Sequence, residues 1–179
     1  MSDIKLRSSE PISPGEDEVR EGIELLFFAY RDFIAEPDAI LSRYGFGRAH
    51  HRVIHFVGRH PQMTVSELLA ILHITKQSLS RVLSELVHQG FIAQQPGPYD
   101  RRQRRLQLTP EGRALEREVS APQRARVAEA YRQAGAAAVE GFRKVLLSII
   151  ADASDRRRFD DGSDGKRYNQ RTTPTIRDE

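Results

Sequence analysis

Between Lys76 and Arg105 the chain gathers the hydrogen-bond donors that read or grip nucleic acid. Lys76, Gln77, Ser78, Ser80 and Arg81 form one group, and Arg101, Arg102, Arg104 and Arg105 another. Glutamine matches the donor and acceptor of adenine, arginine matches the two acceptors of guanine, and cations and hydroxyls hold phosphate oxygens. Arginines crowded this closely repel one another, and an anionic partner relieves that repulsion.

Such donors act only if structural elements aim them, and the residue pattern supplies those elements. Thr64 with Glu67 is a capping box, and Leu68, Leu69, Ile71 and Leu72 behind it predict a short helix. After a turn at His73 and Ile74, Thr75 caps a second helix. Its apolar residues Leu79, Val82, Leu83, Leu86 and Val87 follow i, i+3, i+4, i+7, i+8 spacing. Gly90 ends it. A rotation of about 100° per residue leaves Gln77, Arg81, Ser84 and His88 opposite the apolar face, with Lys76, Ser78 and Ser80 near the N-terminal end. Two such helices predict a helix-turn-helix whose second member enters a major groove by its N-terminal residues, Thr75 included. Phe91–Gln95 then reads as a strand, Pro96-Gly97-Pro98-Tyr99 as a turn, and Arg104, Leu106 and Leu108 as a returning strand, a two-stranded hairpin with arginines near its tip. The plainer reading of the helix is a solvated amphipathic face, and of Asp100 a turn-forming aspartate.

This order of motifs resembles the MarR family of winged helix-turn-helix regulators. The likeness rests on Thr75–Gln89, the exit Gly90-Phe91-Ile92, Asp100-Arg101-Arg102, and Leu108-Thr109-Pro110-Glu111-Gly112, and runs from about Val19 to Ala153. The resemblance implies a mainly α fold with a small β-wing and N- and C-terminal dimerisation helices. Arg102 would then enter the minor groove while Asp100 holds an arginine in place, and a narrow, strongly negative minor groove favours such an arginine. It also implies a homodimer on double-stranded DNA, most often a repressor, with a small-molecule effector pocket where the dimerisation helices meet the winged domain. Tyr30, His51 and His55 are the candidates for that pocket.

The flanking sequence provides long apolar stripes. Val19, Ile23, Leu26, Phe27, Tyr30, Phe33 and Ile34 form one, broad enough for more than one surface. Thr109 and Pro110 open a long helix running through Tyr131, with a kink expected at Pro122 and a separation at Gly135. Val139, Phe142, Val145, Leu146, Ile149 and Ile150 follow, a stripe that a partner chain or an intramolecular bundle would cover. The expected organisation is a disordered arm at 1–15, a domain at 16–153 and a disordered tail at 154–179, both ends being poor in apolar residues. Within the domain, 16–60 and 110–153 are dimerisation and supporting helices, and 61–109 holds the helix-turn-helix and wing. Arg156-Arg157-Arg158 lies in the tail among aspartates, as a solvated segment would.

Composition removes several classes. The 179 residues carry 28 Lys plus Arg against 25 Asp plus Glu, a net charge of +3, so basic character is local rather than general. With no cysteine there is no disulfide, thiolate metal site or thiol redox sensor, and Met63 beside a helix cap reads as packing. No apolar run reaches the roughly 20 residues of a membrane span, and no signal peptide is visible, so a cytoplasmic protein is expected. His51 and His55 share a helix face, but position 52 is Arg and the segment is no HExxH motif, so no metal or cofactor is expected. Gly45-Phe46-Gly47 lacks the third glycine of a dinucleotide fingerprint, and Gly162–Lys166 is no P-loop, so no enzyme is expected. The competing class is a winged helix used as a protein-interaction module without sequence-specific DNA binding.

Overall fold

Hydroxyl caps decide where three of the helices begin. A computed structural model describes residues 13–97 and 103–160. In it Thr64 Oγ1 accepts the Glu67 N–H at 3.1 Å while the Glu67 carboxylate accepts the Thr64 N–H at 2.6 Å, opening α3 (Val65–Leu72). The Thr64 N–H bond to the carboxylate comes first among the causes that hold the Glu67 carboxyl below the usual glutamate range. Thr75 Oγ1 accepts from Ser78 N at 3.1 Å to open α4 (Lys76–His88), and Thr109 Oγ1 accepts from Gly112 N at 3.0 Å to open α5 (Pro110–Ile149). At the far end of α4, Gly90 adopts φ 81°. Its N–H bonds Val87 O at 3.1 Å and the Phe91 N–H bonds Leu86 O at 2.9 Å, a Schellman stop that only a glycine enters without strain.

Ahead of these elements lie α1 (Glu16–Ser42) and α2 (Arg48–Arg59). The hairpin is β2 (Ile92–Pro96) against β3 (Arg104–Leu108), in antiparallel register from Ile92↔Leu108 to Pro96↔Arg104. It does not stand alone. Met63–Thr64 forms a short strand, β1, pairing with Leu106 and Arg105, so the sheet has three strands in the order β1-β3-β2. This third strand supplies the packed neighbour that an isolated hairpin lacks. The core is one cluster that includes Leu41, Val53, Ile54, Val57, Leu68, Leu79, Leu86, Ile92, Leu106, Leu115 and Val119, with Met63 buried in it as packing.

Two prolines lie inside long helices. Pro122 does not break α5, whose non-helical residue is Gly135 at φ 80°, ψ 165°. In α1, Pro37 is fully buried and has no N–H to give the Phe33 carbonyl one turn back. The Gln123 side-chain amide of α5 donates to that carbonyl at 3.3 Å instead.

The tail expected from 154 begins differently. Asp152 Oδ1 accepts from Ser154 N at 2.7 Å and from Ser154 Oγ at 2.6 Å, and α6 (Ala153–Asp160) follows. The expected boundary at Ser154 therefore falls inside a capped helix. The remainder of the two ends expected to be disordered, 1–12 and 161–179, lies outside the described residues.

Among the described glycines, Gly112 at the start of α5 has the closest neighbour. A Cβ built on Gly112 would stand 2.0 Å from the Phe91 carbonyl oxygen, a backbone atom that cannot swing away. Gly112→Ala should cost about 3 kcal/mol or more by overpacking, read as a lowered urea midpoint at unchanged m-value.

Candidate nucleic-acid interface

The second helix of the pair presents two chemically opposite faces. Leu79, Val82, Leu83 and Leu86 are buried, whereas Thr75, Lys76, Gln77, Ser78, Ser80 and Arg81 are all exposed. Lys76, Gln77, Ser80, Arg81 and Ser84 line one shallow concavity of about 550 Å3 on the outward side. The sequence-predicted donors of α4 thus share one surface. Thr75 and Ser78 have a prior engagement there. The Thr75 hydroxyl donates to Ser78 Oγ at 2.9 Å while capping the helix, so both first serve to begin it.

A clamp that periodicity does not reveal fixes α4 from the side. His50 Nδ1 accepts the Gly47 N–H at 3.1 Å, which leaves the ring proton on Nε2 to donate to Glu85 Oε2 at 2.7 Å. The ring stacks on Phe46 with centroids 4.7 Å apart. One imidazole therefore caps α2 and holds α4. Its sequence signal is slight: a histidine three residues after a glycine at a helix start.

In the hairpin, Gly97 N donates to Gln103 O at 2.8 Å, closing the base of the tip. Arg104 is exposed beside it. Arg105 turns the other way, with Nη1 donating to Gln62 O at 2.9 Å, so this arginine ties β3 to the residue before β1. Asp100, Arg101 and Arg102 lie outside the described residues.

Tyr30, His51 and His55, the three pocket candidates, line neither the concavity on α4 nor the cavity around Met63. Tyr30 is 55% exposed among apolar residues of α1, whereas His51 and His55 sit one turn apart on α2. A second cavity, of about 350 Å3, is lined by other residues, among them His60, Met63, Glu67, Ile71, Arg105 and Arg158. Desolvation lowers the pKa of both His51 and His55. For His51 the neighbouring His55 adds to this and Asp38 and Glu116 oppose it; for His55, Glu116 opposes it and Arg59 and His60 add to it.

Comparison with known proteins places this geometry. Residues 44–103 match the pattern of the MarR family. The HTH-type transcriptional regulator PetP of Rhodobacter capsulatus is 50% identical over 141 residues, covering 79% of this chain and 85% of PetP. Streptococcus pneumoniae FabT, solved in complex with DNA, has 22% identity and a TM-score of 0.64, with 75% of this chain and 94% of FabT covered. The Mycobacterium tuberculosis MarR family protein RV2887, solved with p-aminosalicylic acid, has 24% identity and a TM-score of 0.50, with 70% of this chain and 95% of that one covered.

The α2 histidines carry a pH consequence. Their folded-state pKa values lie below the unfolded value of about 6.5, so the stability they contribute is intact above that pH and is lost as pH falls through the folded values. The urea midpoint should fall between about pH 7.5 and about pH 5, and a His51→Gln, His55→Gln double variant should show a flatter profile.

Proposed function

The chain belongs to the MarR family, and on that premise we propose that it is a ligand-responsive repressor, a homodimer gripping a palindromic site in promoter DNA. Its function is that of a DNA-binding transcriptional regulator, a binding role with no catalytic step, carried out in the cytoplasm. Among the described residues no helix is long and apolar enough to cross a membrane.

The single observation that carries the reading is the outward face of α4, where Lys76, Gln77, Ser80, Arg81 and Ser84 converge opposite a fully apolar face. Laid in a major groove, the N-terminal half of α4 brings Gln77 and Arg81 to base edges. Lys76 and the hydroxyls of Thr75, Ser78 and Ser80 reach the sugar-phosphate backbone. Arg104, paired with Pro96 at the turn end of the hairpin, and Arg101 would contact DNA beside the groove, while Arg102 would enter the minor groove and Asp100 hold an arginine in place. FabT, of similar fold, is solved in complex with DNA.

Homodimerisation is supported by what α1 and the end of α5 leave uncovered. Ile23 is 65% exposed, Phe27 61%, Val145 58% and Ile149 60%, a concentration of apolar surface that a second copy would bury. Two-fold symmetry then sets the half-sites about one helical turn apart. A small molecule that favours a different separation of the two reading helices releases DNA in proportion to its differential affinity for the two arrangements. RV2887, solved with p-aminosalicylic acid, supports a small-molecule effector. Tyr30, His51 and His55 remain the proposed contacts, in a pocket completed by the partner arm.

Selection from a pool of random duplex DNA at near-physiological salt tests the reading directly, and an enriched inverted repeat is the expected result. No enrichment would favour a protein-interaction module. On the selected site, Arg81→Ala should cost about 1–3 kcal/mol and relax preference at one position per half-site. Arg102→Ala should weaken binding and leave the dimer intact, read by titration alongside sedimentation. Affinity should fall steeply with added salt.

A further inference from the structure

Away from the reading face, α6 returns to the turn between α3 and α4. There it brings together His73, Asp152 and Asp155, and one ligand atom from each lies within 4.8 Å of the others. His73 Nε2 stands 3.7 Å from Asp155 Oδ2. That separation is too long for a hydrogen bond. It suits two ligand atoms that share a cation, since donors about 2.1 Å from a zinc ion stand roughly 3.4 Å apart at the tetrahedral angle and farther at wider ones.

The other carboxylate oxygens are already engaged. Asp155 Oδ1 accepts from Arg158 Nε at 3.1 Å, and Asp152 Oδ1 accepts from the N–H and O–H of Ser154 at 2.7 and 2.6 Å. These bonds hold both carboxylates at the first turn of α6 and leave a second oxygen on each. The donor set is one imidazole nitrogen and two carboxylates, whose charge a divalent ion balances. The imidazole favours a borderline ion such as zinc over the hard magnesium and calcium, and water completes a tetrahedron around three protein ligands.

We infer that His73, Asp152 and Asp155 form a binding site for a divalent transition-metal cation of the zinc type, which clips α6 to the turn of the helix-turn-helix. The clip joins the end of the C-terminal arm to a residue two positions before Thr75, the cap of the reading helix. The site is separate from the DNA-reading face, and its test does not depend on DNA binding.

Zinc titrated calorimetrically into the chelator-treated full chain should bind at this site, and His73→Asn and Asp155→Asn should each weaken that binding roughly tenfold or more. Asparagine is chosen at position 73 because His73 has φ 50°, a left-handed backbone that Asn tolerates. Unchanged circular dichroism shows that each variant folds, and the imidazole resonances of His73 in the wild-type chain should shift as zinc is added. No zinc uptake by the full chain, or uptake of equal affinity in both variants, overturns the assignment. So does uptake lost only in a His51→Gln, His55→Gln variant, which would move the metal to α2.

Discussion

The helix proposed to read DNA, the hairpin after it and the C-terminal arm all meet at one crowded junction, Thr109–Gly112. The Thr109 hydroxyl donates to Gly90 O at 2.7 Å while capping α5, and the Thr109 N–H donates to Phe91 O at 3.1 Å. The absent side chain of Gly112 lets that same Phe91 carbonyl come close to the first turn of α5. Gly90 ends the reading helix, Phe91 leads into the hairpin and Gly112 belongs to the arm. Three functional parts therefore meet through backbone atoms, which have far less freedom to adjust than side chains. The run Leu108-Thr109-Pro110-Glu111-Gly112 thus has a physical meaning: a buried strand end, a cap, a first-turn proline and a glycine demanded by proximity.

The reading helix is consequently held at both ends and on one flank. Thr75 fixes its start, the Gly90 stop fixes its end, and the His50–Glu85 bond ties its middle to α2. A helix constrained in this way presents its donors as a rigid set. The arms lack comparable ties among the described residues: apolar side chains of α1 and the end of α5 are exposed and Gly135 interrupts the helical backbone. A fixed set of donors on such arms suits the separation-sensitive regulation proposed above.

What could be read from the sequence follows from how local each determinant is. The three threonine caps, the Gly90 stop and the buried face of α4 each depend on residues within about two turns, so their pattern survives in one dimension. The outward donors of α4 were legible as the complement of that face. Strand β1 was not, because two residues carry no periodicity and their pairing comes from Leu106 and Arg105, some forty positions on. Arg105 looked like one more tip cation, yet its partner is a carbonyl on a distant segment. His50 was passed over for its neighbours because its role is set by Glu85, 35 positions on in another helix. Helix α6 hid in a hydrophilic composition that also suits a tail, although Asp152 with Ser154 was a local cap signal. The roles given to Asp100, Arg101 and Arg102 fall outside the described residues.

The amide that Gln123 lends to the Phe33 carbonyl bears on how the arms can move. Pro37 leaves one acceptor of α1 without its helical donor inside the α1–α5 contact, and a single side chain on α5 answers it. Sliding either helix by a turn would carry Gln123 past its mark and leave the part-buried Phe33 carbonyl without this donor. Pivoting about that point leaves the bond in place. In the proposed dimer the crossing would act as a fulcrum, favouring changes of angle between the arms over changes of register.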